Sequence, residues 1–256
     1  MALSLRAPRA PRGAERPHAS LASSCVGGGL EGLCYPPGLP GCLRVVASLE
    51  ASGVYNICSL LGKGHASVVA LAYTRWGLRA VKVRRLDSRR ESLAWEGSAL
   101  ERAWRLGASP RPYYVDDNVI VMEYVEGPLL GEALEDLGLT PQLVSEALDA
   151  ARSLDAGGIL HLELHRPWRN IVYTGTGRAY IIDLDSHTEG CGNVARLLSG
   201  LARLHQRLLM EVRRGVLRGE LRAYVKKGCP RGSYDTIKNL VLEVIGLSNF
   251  PDAARY

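Results

Sequence analysis

A glycine-rich turn between two apolar runs is the feature that most constrains how this chain folds. Residues 61–69 read Leu-Gly-Lys-Gly-His-Ala-Ser-Val-Val, and the runs on both sides have the composition of β-strands. Because a strand follows the glycines, the pattern favours a hairpin over the strand–turn–helix of a Rossmann or Walker nucleotide site. At Gly62 and Gly64 the backbone of such a hairpin can approach anionic oxygens and present N–H groups to them. Ser67 stands where the pattern G-x-G-x-x-G would have its third glycine.

Strand-like runs continue through the first half of the chain. They lie at residues 54–61, 68–73, 78–84, 113–115 and 119–124. Residues 92–106 have helical apolar spacing and end at Gly107. These patterns predict a five-stranded antiparallel sheet with one helix.

The pattern changes after Glu126-Gly127-Pro128 and becomes mostly helical. Thr140-Pro141 supplies a helix start, and two short runs around residues 170–183 indicate a small hairpin. The sequence therefore predicts an α+β fold with two lobes. The sheet with its helix occupies residues 43–126, and a mostly helical, shortened lobe occupies residues 127–256.

One lysine lies inside the third strand-like run. Lys82 stands between two valines, so its side chain is expected to be buried. Burying an ammonium group is costly unless an anionic partner compensates for the lost hydration. Glu96 on the following helix can be that partner, because Leu100 follows it at core spacing, and Glu91 is the competing candidate.

Oxygen ligands for a hard cation stand at the ends of the later hairpin. Asp183 ends an apolar strand, and Asn170 precedes the partner strand. Mg²⁺ prefers carboxylate and amide oxygens together with phosphate. The two residues therefore predict a magnesium site, and Asp185 either binds a second metal or flanks it.

These segments, in this order, resemble the protein-kinase-like superfamily, and within it the small archaeal serine/threonine kinases related to the RIO-type atypical kinases. The segments that carry the resemblance are residues 61–67, 80–85, 121–127, 161–170 and 181–185. The resemblance implies a bilobal kinase fold that takes ATP and Mg²⁺, with Lys82 and Asp183 in the catalytic centre. It also implies that adenine binds to the backbone of Glu123 and Val125. The full set of nucleotide-binding residues that it implies is Gly62, Lys63, Gly64, Ser67, Lys82, Glu96, Glu123 and Val125.

Two residues compete for the role of catalytic base. In the segment His161-Leu162-Glu163, Glu163 stands where the kinase motif H-R-D places the residue that accepts the substrate hydroxyl proton. Glu163 precedes Asn170 by seven residues whereas the motif has five, and an alignment without a gap puts His165 at that position. Pro167 favours Glu163, because it then keeps its place between base and asparagine.

Two departures from ordinary protein kinases bear on the substrate. Asp183-Leu184-Asp185 replaces Asp-Phe-Gly, and a helix begins near Asn193 without an Ala-Pro-Glu motif. The long peptide-docking segment therefore has no sequence to form it. We expect an atypical ATP-dependent serine/threonine kinase, including autophosphorylation or ATP hydrolysis. The alternatives are a small-molecule phosphotransferase of the same fold and a nucleotide-binding pseudokinase.

Composition adds expectations about partners and location. The net charge is +6, and arginine-rich clusters near residues 6–16, 84–90 and 213–227 suggest contact with RNA or an acidic partner. No run approaches the roughly 20 apolar residues that cross a bilayer, so we expect no membrane contact and a cytoplasmic location.

The first residues and the cysteines give two further expectations. Residues 1–42 are rich in Pro, Gly, Ala and Arg, which predicts a disordered basic leader. The six cysteines form no C-x-x-C pair and read as thiols in a reducing compartment, with a disulfide among Cys25, Cys34 and Cys42 as the alternative.

Overall fold

The computed structural model describes residues 29–246 of the 256-residue chain. Its first part is a five-stranded sheet of β1 (Val54–Lys63), β2 (Ser67–Thr74), β3 (Gly77–Arg84), β4 (Pro112–Val115) and β5 (Val119–Glu123). The strand order is β1-β2-β3-β5-β4, and every pair is antiparallel. The predicted α+β class and the five-stranded antiparallel sheet are confirmed.

The two faces of this sheet pack against different helices. Helix α1 (Cys42–Ala51) shares a core with Val81 of β3 on one face. Helix α2 (Ala94–Arg105) shares a core with Ile120 of β5 on the other. Because successive side chains of a strand alternate between faces, Lys82 lies on the α2 face.

The second part is mostly helical. Its helices are α3 (Leu130–Leu137), α4 (Pro141–Ala156), α5 (Pro167–Asn170), α6 (Asn193–Leu201), α7 (Gln206–Arg214), α8 (Val216–Lys226) and α9 (Arg231–Gly246). Two small antiparallel pairs complete it: β6 (Ile159–His161) with β9 (His187–Glu189), and β7 (Ile171–Tyr173) with β8 (Ala179–Ile181). The hydroxyl of Thr140 accepts a hydrogen bond from the N–H of Leu143 and caps α4.

The two parts share one hydrophobic core. Leu100 of α2 and Ile120 of β5 belong to the same buried cluster as Leu148 of α4 and Leu197 of α6. The chain passes from one part to the other at Gly127, whose φ is +155°. A Cβ at this position would lie 1.6 Å from the carbonyl oxygen of Tyr173, so the close approach requires glycine.

The first described residues are ordered against the sheet. Residues 29–42 belong to the leader that composition predicted to be disordered, but they contain a 3-10 turn (Leu30–Leu33) and a disulfide between Cys34 and Cys42. Leu33 and Cys34 are buried in the core that α1 shares with the sheet. Composition does not reveal these few apolar contacts or the cross-link, which lowers the entropy lost on ordering. Residues 1–28 of the predicted leader lie outside the described residues.

The interpretation of the cysteines as thiols is wrong for the described part of the chain. A disulfide joins Cys34 to Cys42, another joins Cys191 to Cys229, and Cys58 is also disulfide-bonded. Disulfides are rare in a reducing cytosol, except in intracellular proteins of hyperthermophiles. The cysteines therefore no longer support the expected cytoplasmic location. Between residues 29 and 246 we find no helix that combines the length and apolarity needed to cross a membrane.

Candidate active site

Lys82 contacts one carboxylate from each part of the molecule. Its Nζ lies 2.6 Å from Oε1 of Glu96 on α2 and 2.6 Å from Oδ1 of Asp183, which follows β8. Lys82 and Glu96 are 3% and 4% exposed, whereas the side chain of Asp183 is 54% exposed. The structure thus places Glu96, and not the exposed Glu91, against Lys82. Asp183 has a φ of +60°, a conformation that is uncommon for residues other than glycine and that concentrates at functional sites.

Burial and charge act in opposite directions on this group of three. Burial disfavours the charged ammonium, but the carboxylates of Glu96 and Asp183 outweigh it and raise the pKa of Lys82. Burial raises the pKa of Glu96 against the attraction of Lys82, and Glu96 Oε2 has no hydrogen-bond partner among the described residues. Partial loss of hydration at the cleft opposes ionisation of the half-exposed Asp183, yet Lys82 holds the pKa of that carboxyl below its usual value. The exposed carboxylate therefore stays ionised beside the cleft.

Close packing of α2 on the sheet brings Glu96 within reach of Lys82. Gly97, the next residue, is buried against Val115 of β4, and a Cβ there would lie 2.2 Å from Val115 Cγ1. Two contacts also tie α2 to β9. The ring of Trp95 stacks on His187 at 4.8 Å between centroids, and Nη1 of Arg102 lies 2.6 Å from Oε1 of Glu189.

Gly97→Ala is expected to lower the free energy of unfolding by about 1–3 kcal/mol, because the added methyl overpacks the contact with Val115. Alanine stabilises a helix by about 1 kcal/mol relative to glycine, and the expected loss already includes this gain in α2. Urea unfolding measures the change. The double variant Gly97→Ala/Val115→Ala opens the space and should regain most of the loss. Equal stability of Gly97→Ala and the unchanged protein would contradict the close packing.

The predicted metal ligands lie on neighbouring chain segments. The backbone N–H of Ile182 donates to the carbonyl of Asn170, so Asn170 stands one residue from Asp183 across the β7–β8 pair. The side-chain amide of Asn170 donates to the carbonyl of Glu163. Asp185 instead forms an ion pair with Arg90, in which Nε lies 2.6 Å from Oδ1. The two acids therefore have different partners: Asp183 pairs with Lys82, and Asp185 pairs with Arg90.

The loop from His161 to Asn170 is fixed around Glu163. The N–H of Glu163 donates to Nδ1 of His161, and its carbonyl accepts from Asn170. The Glu163 residue itself is exposed. His165 is half-buried, and its Nδ1 lies 3.1 Å from the carbonyl of Leu162. The structure holds Glu163 by its backbone on both sides and leaves its carboxylate in solvent.

His161 is neutral at physiological pH. Burial lowers its pKa to about 4, and Nδ1 already accepts the hydrogen bond from Glu163. Since Nδ1 is the acceptor, Nε2 carries the proton and faces the carbonyl of Ile182 at 3.4 Å. His161 therefore acts as a structural support of the loop rather than as a base.

The buried His161 should make stability depend on pH below 6.5. In the unfolded chain histidine binds a proton near pH 6.5, whereas the folded state resists protonation down to about pH 4. The unfolded state thus binds more protons in this window. The free energy of unfolding therefore decreases by up to about 3 kcal/mol as the pH is lowered through it. Denaturant unfolding from pH 7 to pH 4.5 should give this slope. His161→Gln should flatten it, and parallel curves for the two proteins would contradict a buried neutral histidine.

A buried hydrogen-bond network behind the loop was not predicted from the sequence. Asp155 of α4 accepts hydrogen bonds from the first N–H groups of α6, from Nδ2 of Asn193 and from the hydroxyl of Tyr224. Asn193 also donates to the carbonyl of Ile159 and accepts from the N–H of His161. The network fixes β6, and with it the start of the loop that carries Glu163. Each partner lies more than 30 positions from Asp155, so no local pattern signals it.

The glycine turn is the tip of the β1–β2 hairpin. The N–H of Gly64 donates to the carbonyl of Ser67 at 2.8 Å, and a Cβ at Gly62 would meet nothing within 4 Å. The described N-terminal segment reaches this tip, because Nζ of Lys63 lies 3.3 Å from the ring centroid of Tyr35. Arg85 lies over the same ring at 4.4 Å and donates to the carbonyl of Gly64. Sequence reasoning placed Lys63 at the turn but missed that Tyr35 and Arg85 hold it.

The predicted adenine site lies where β5 ends. The N–H of Glu123 donates to the carbonyl of Arg111, so this group is used in the sheet. Val125 lies beyond the strand, and its N–H makes no backbone hydrogen bond within residues 29–246. Val125 rather than Glu123 therefore has the free donor at this edge.

Comparison with known proteins adds no family to this picture: a scan against protein-family models finds no match, and a search of curated proteins finds no relative. The function is therefore inferred from the geometry of the site.

Proposed function

We propose that this chain is an atypical ATP-dependent kinase with a bilobal protein-kinase-like fold, which transfers the γ-phosphoryl group of Mg-ATP to a serine or threonine hydroxyl. The observation that carries the proposal is the position of Lys82, with Nζ 2.6 Å from both Glu96 and Asp183. Kinases use a lysine of the third strand, a glutamate of the following helix and an aspartate after a later hairpin in this way. The strand order, with the glycine turn at the tip of the first hairpin, supports the same class.

Lys82 is prepared to bind phosphate oxygens. An ammonium group has three N–H donors, and the two carboxylates take two of them. The third donor is free for an oxygen of the α- or β-phosphate. Glu96 holds the ammonium in place from the buried side, so little side-chain entropy remains to be lost when nucleotide binds.

Asp183 and Asn170 fit a magnesium ion that is bound together with nucleotide. Among residues 29–246 there is no cluster of three or more His, Cys, Asp or Glu side chains that could hold a metal alone. Mg²⁺ commonly takes one or two protein oxygens and completes its shell with water and phosphate, which matches one exposed carboxylate and one amide oxygen. When bound there, it would neutralise charge on the transferring phosphoryl group.

The chain between Asp183 and α6 supports a substrate other than an extended peptide. Asn193 begins α6 ten residues after Asp183, and β9 pairs with β6 within this interval. This stretch is too short for a peptide-docking segment. We therefore assign the acceptor hydroxyl to this protein itself or to a folded partner that brings its own binding surface.

Transfer of label from γ-labelled ATP tests the proposal directly. The purified chain is incubated with Mg²⁺ and labelled ATP, alone and with cell extract, and the fate of the label is followed. Label in protein would support the proposed protein kinase. Label in small molecules would instead indicate a small-molecule phosphotransferase. Bound nucleotide without transfer of label would indicate a nucleotide-binding pseudokinase.

Glu163→Gln is expected to lower kcat by about 10²–10⁴-fold, because a positioned base contributes this much when it accepts the hydroxyl proton. ATP affinity should change little, since Glu163 contacts the loop through its backbone and not through its carboxylate. His165→Ala is the matched control and should have a much smaller effect. A severe loss in His165→Ala with a mild effect of Glu163→Gln would assign the base to His165.

A further inference from the structure

Three arginines and three aromatic rings form one continuous surface on the sheet, which we call the arginine–aromatic stack. Its members are Arg75, Trp76, Arg79, Trp104, Arg111 and Tyr113. They come from four chain segments: the β2–β3 turn, β3, the end of α2 and the start of β4. Strand pairing and packing thus bring together residues that lie far apart in the sequence.

The contacts within the stack run from one end to the other without a break. Arg75 lies over Trp76 at 4.2 Å, and the rings of Trp76 and Tyr113 are 5.5 Å apart. Arg111 lies 5.1 Å from the ring of Tyr113 and 5.1 Å from that of Trp104. Arg79 covers Tyr113 at 4.5 Å. Four arginine–ring contacts in one surface exceed the roughly three cation–π contacts expected in a whole chain of this length.

The guanidinium groups of the stack have no carboxylate partner, and the one protein hydrogen bond seen for them among residues 29–246 runs from Nη1 of Arg79 to the carbonyl of Leu78. None of the three arginines forms an ion pair with a carboxylate of residues 29–246. Glu123 stands opposite Arg79 in the strand pairing, but its carboxylate accepts the backbone N–H of Arg111 instead. The Nε of Arg79 is buried without a hydrogen-bond partner among the described residues. The contacts with the rings stabilise each arginine, but no carboxylate of residues 29–246 offsets the repulsion among the three cations.

The stack is separate from the candidate active site. Arg79 alternates with Lys82 along β3, so the two side chains lie on opposite faces of the sheet. Trp76 and Tyr113 pack one side against the core that α1 shares with the sheet, and both remain partly exposed. Arg75 at one end of the stack and Arg111, between Tyr113 and Trp104, are exposed. Trp104 belongs to α2, which packs on the Lys82 face, but it lies eight residues beyond Glu96 on that helix, so a ligand can bind the stack without blocking Lys82.

We infer that the arginine–aromatic stack is a binding surface for single-stranded nucleic acid. The exposed guanidinium groups of Arg75 and Arg111 can turn to backbone phosphates, and the faces of Trp76 and Trp104 that they cover in the free protein then become available to bases. An acidic protein would use the charge but would gain nothing from the rings. Double-stranded nucleic acid keeps its bases stacked on one another, so the rings favour single strands. The proposal is independent of phosphoryl transfer, because none of the six residues lies in the candidate active site.

Fluorescence anisotropy with a labelled 12-nucleotide oligouridylate tests the inference on the full chain. Arg75→Ala/Arg111→Ala should reduce the dependence of log K on log salt by about 1.4, at 0.7 for each lost phosphate contact. Arg44→Ala/Arg222→Ala removes two exposed arginines outside the stack and is the charge-matched control. Trp104→Leu keeps an apolar side chain and should weaken binding by roughly 5- to 150-fold through the loss of one stacked base.

The outcomes separate stacking from general attraction to a basic protein. The inference stands when both the arginine pair and Trp104→Leu weaken binding and the control pair stays within about twofold, with unchanged circular dichroism throughout. Equal losses in the two arginine pairs would overturn it, as would an unchanged affinity in Trp104→Leu. A labelled polyglutamate or an RNA duplex of the same length that binds as tightly as the single strand would also overturn it, as would the absence of oligouridylate binding.

Discussion

Replacing Lys82 by methionine is expected to abolish ATP binding and to destabilise the folded protein. The ammonium group is the partner of Glu96, which is 4% exposed and has a second oxygen without a hydrogen bond in the described part of the chain. Removing one member of a buried ion pair leaves an uncompensated charge and costs about 3–5 kcal/mol. The loss should grow as pH rises, because a glutamate with a raised pKa is stable when protonated and destabilises the fold as it ionises.

A second substitution separates the two effects. Lys82→Met/Glu96→Gln removes the buried charge on both sides, so it should regain most of the free energy of unfolding that the single variant loses. It should still fail to bind nucleotide, because the buried cation proposed to contact the α- and β-phosphates is gone. Denaturant unfolding gives the stabilities, and titration with a fluorescent ATP analogue gives the affinity. Binding of the analogue to the double variant at the original affinity would remove Lys82 from the nucleotide site.

The sequence predicted those parts of the fold and the site that local patterns determine. The strands of the sheet follow from apolar runs and turns, and the cap at Thr140 follows from the residue types at a helix start. The pairing of Lys82 with Glu96 also has a local basis, because a lysine in an apolar strand needs a buried anion and Glu96 lies on the core side of the next helix.

The features that sequence reasoning missed depend on contacts between distant segments. Asp155 organises residues of α6 and Tyr224, which are 38 to 69 positions away, so its role shows only when the helices are packed. Arg90 binds Asp185 across the two parts of the molecule, which leaves Asp183 as the exposed acid of the pair. No pattern within a window of ten or twenty residues contains this information.

The start of the chain illustrates a third kind of limit. Composition predicts the mean behaviour of a segment, and residues 29–42 have the composition of a disordered one. Two buried side chains, Leu33 and Cys34, the partly buried Leu30 and Tyr35, and one disulfide hold this stretch against the sheet. A few specific contacts therefore outweigh the average, and the segment then brings Tyr35 to the glycine turn.

Asp183→Asn is expected to eliminate Mg²⁺-dependent phosphoryl transfer while ATP binding remains. Asparagine keeps the shape of the side chain and adopts the left-handed conformation at φ +60° about as readily as aspartate, so the backbone should not change. Lys82 keeps its ion pair with Glu96, and the fold should therefore remain stable. What is lost is the anionic ligand of the metal, and a bound metal contributes several kcal/mol to the transition state, which corresponds to at least about 10²-fold in rate.

Asp185→Asn is the matched control for this prediction. Asp185 lies two residues away and is engaged by Arg90, so its replacement removes an ion pair between the two parts of the molecule without removing the exposed carboxylate beside Lys82. Single-turnover assays with labelled ATP, at saturating nucleotide and varied Mg²⁺, should therefore give near-complete loss in Asp183→Asn and a modest loss in Asp185→Asn. Residual activity above about a tenth in Asp183→Asn would assign the principal metal ligand to Asp185 or Asn170 instead, because removing that ligand should cost at least about 10²-fold. Both variants replace one carboxylate by one amide. If their melting temperatures are equal, a difference in activity reflects the loss of a metal ligand and not a loss of stability.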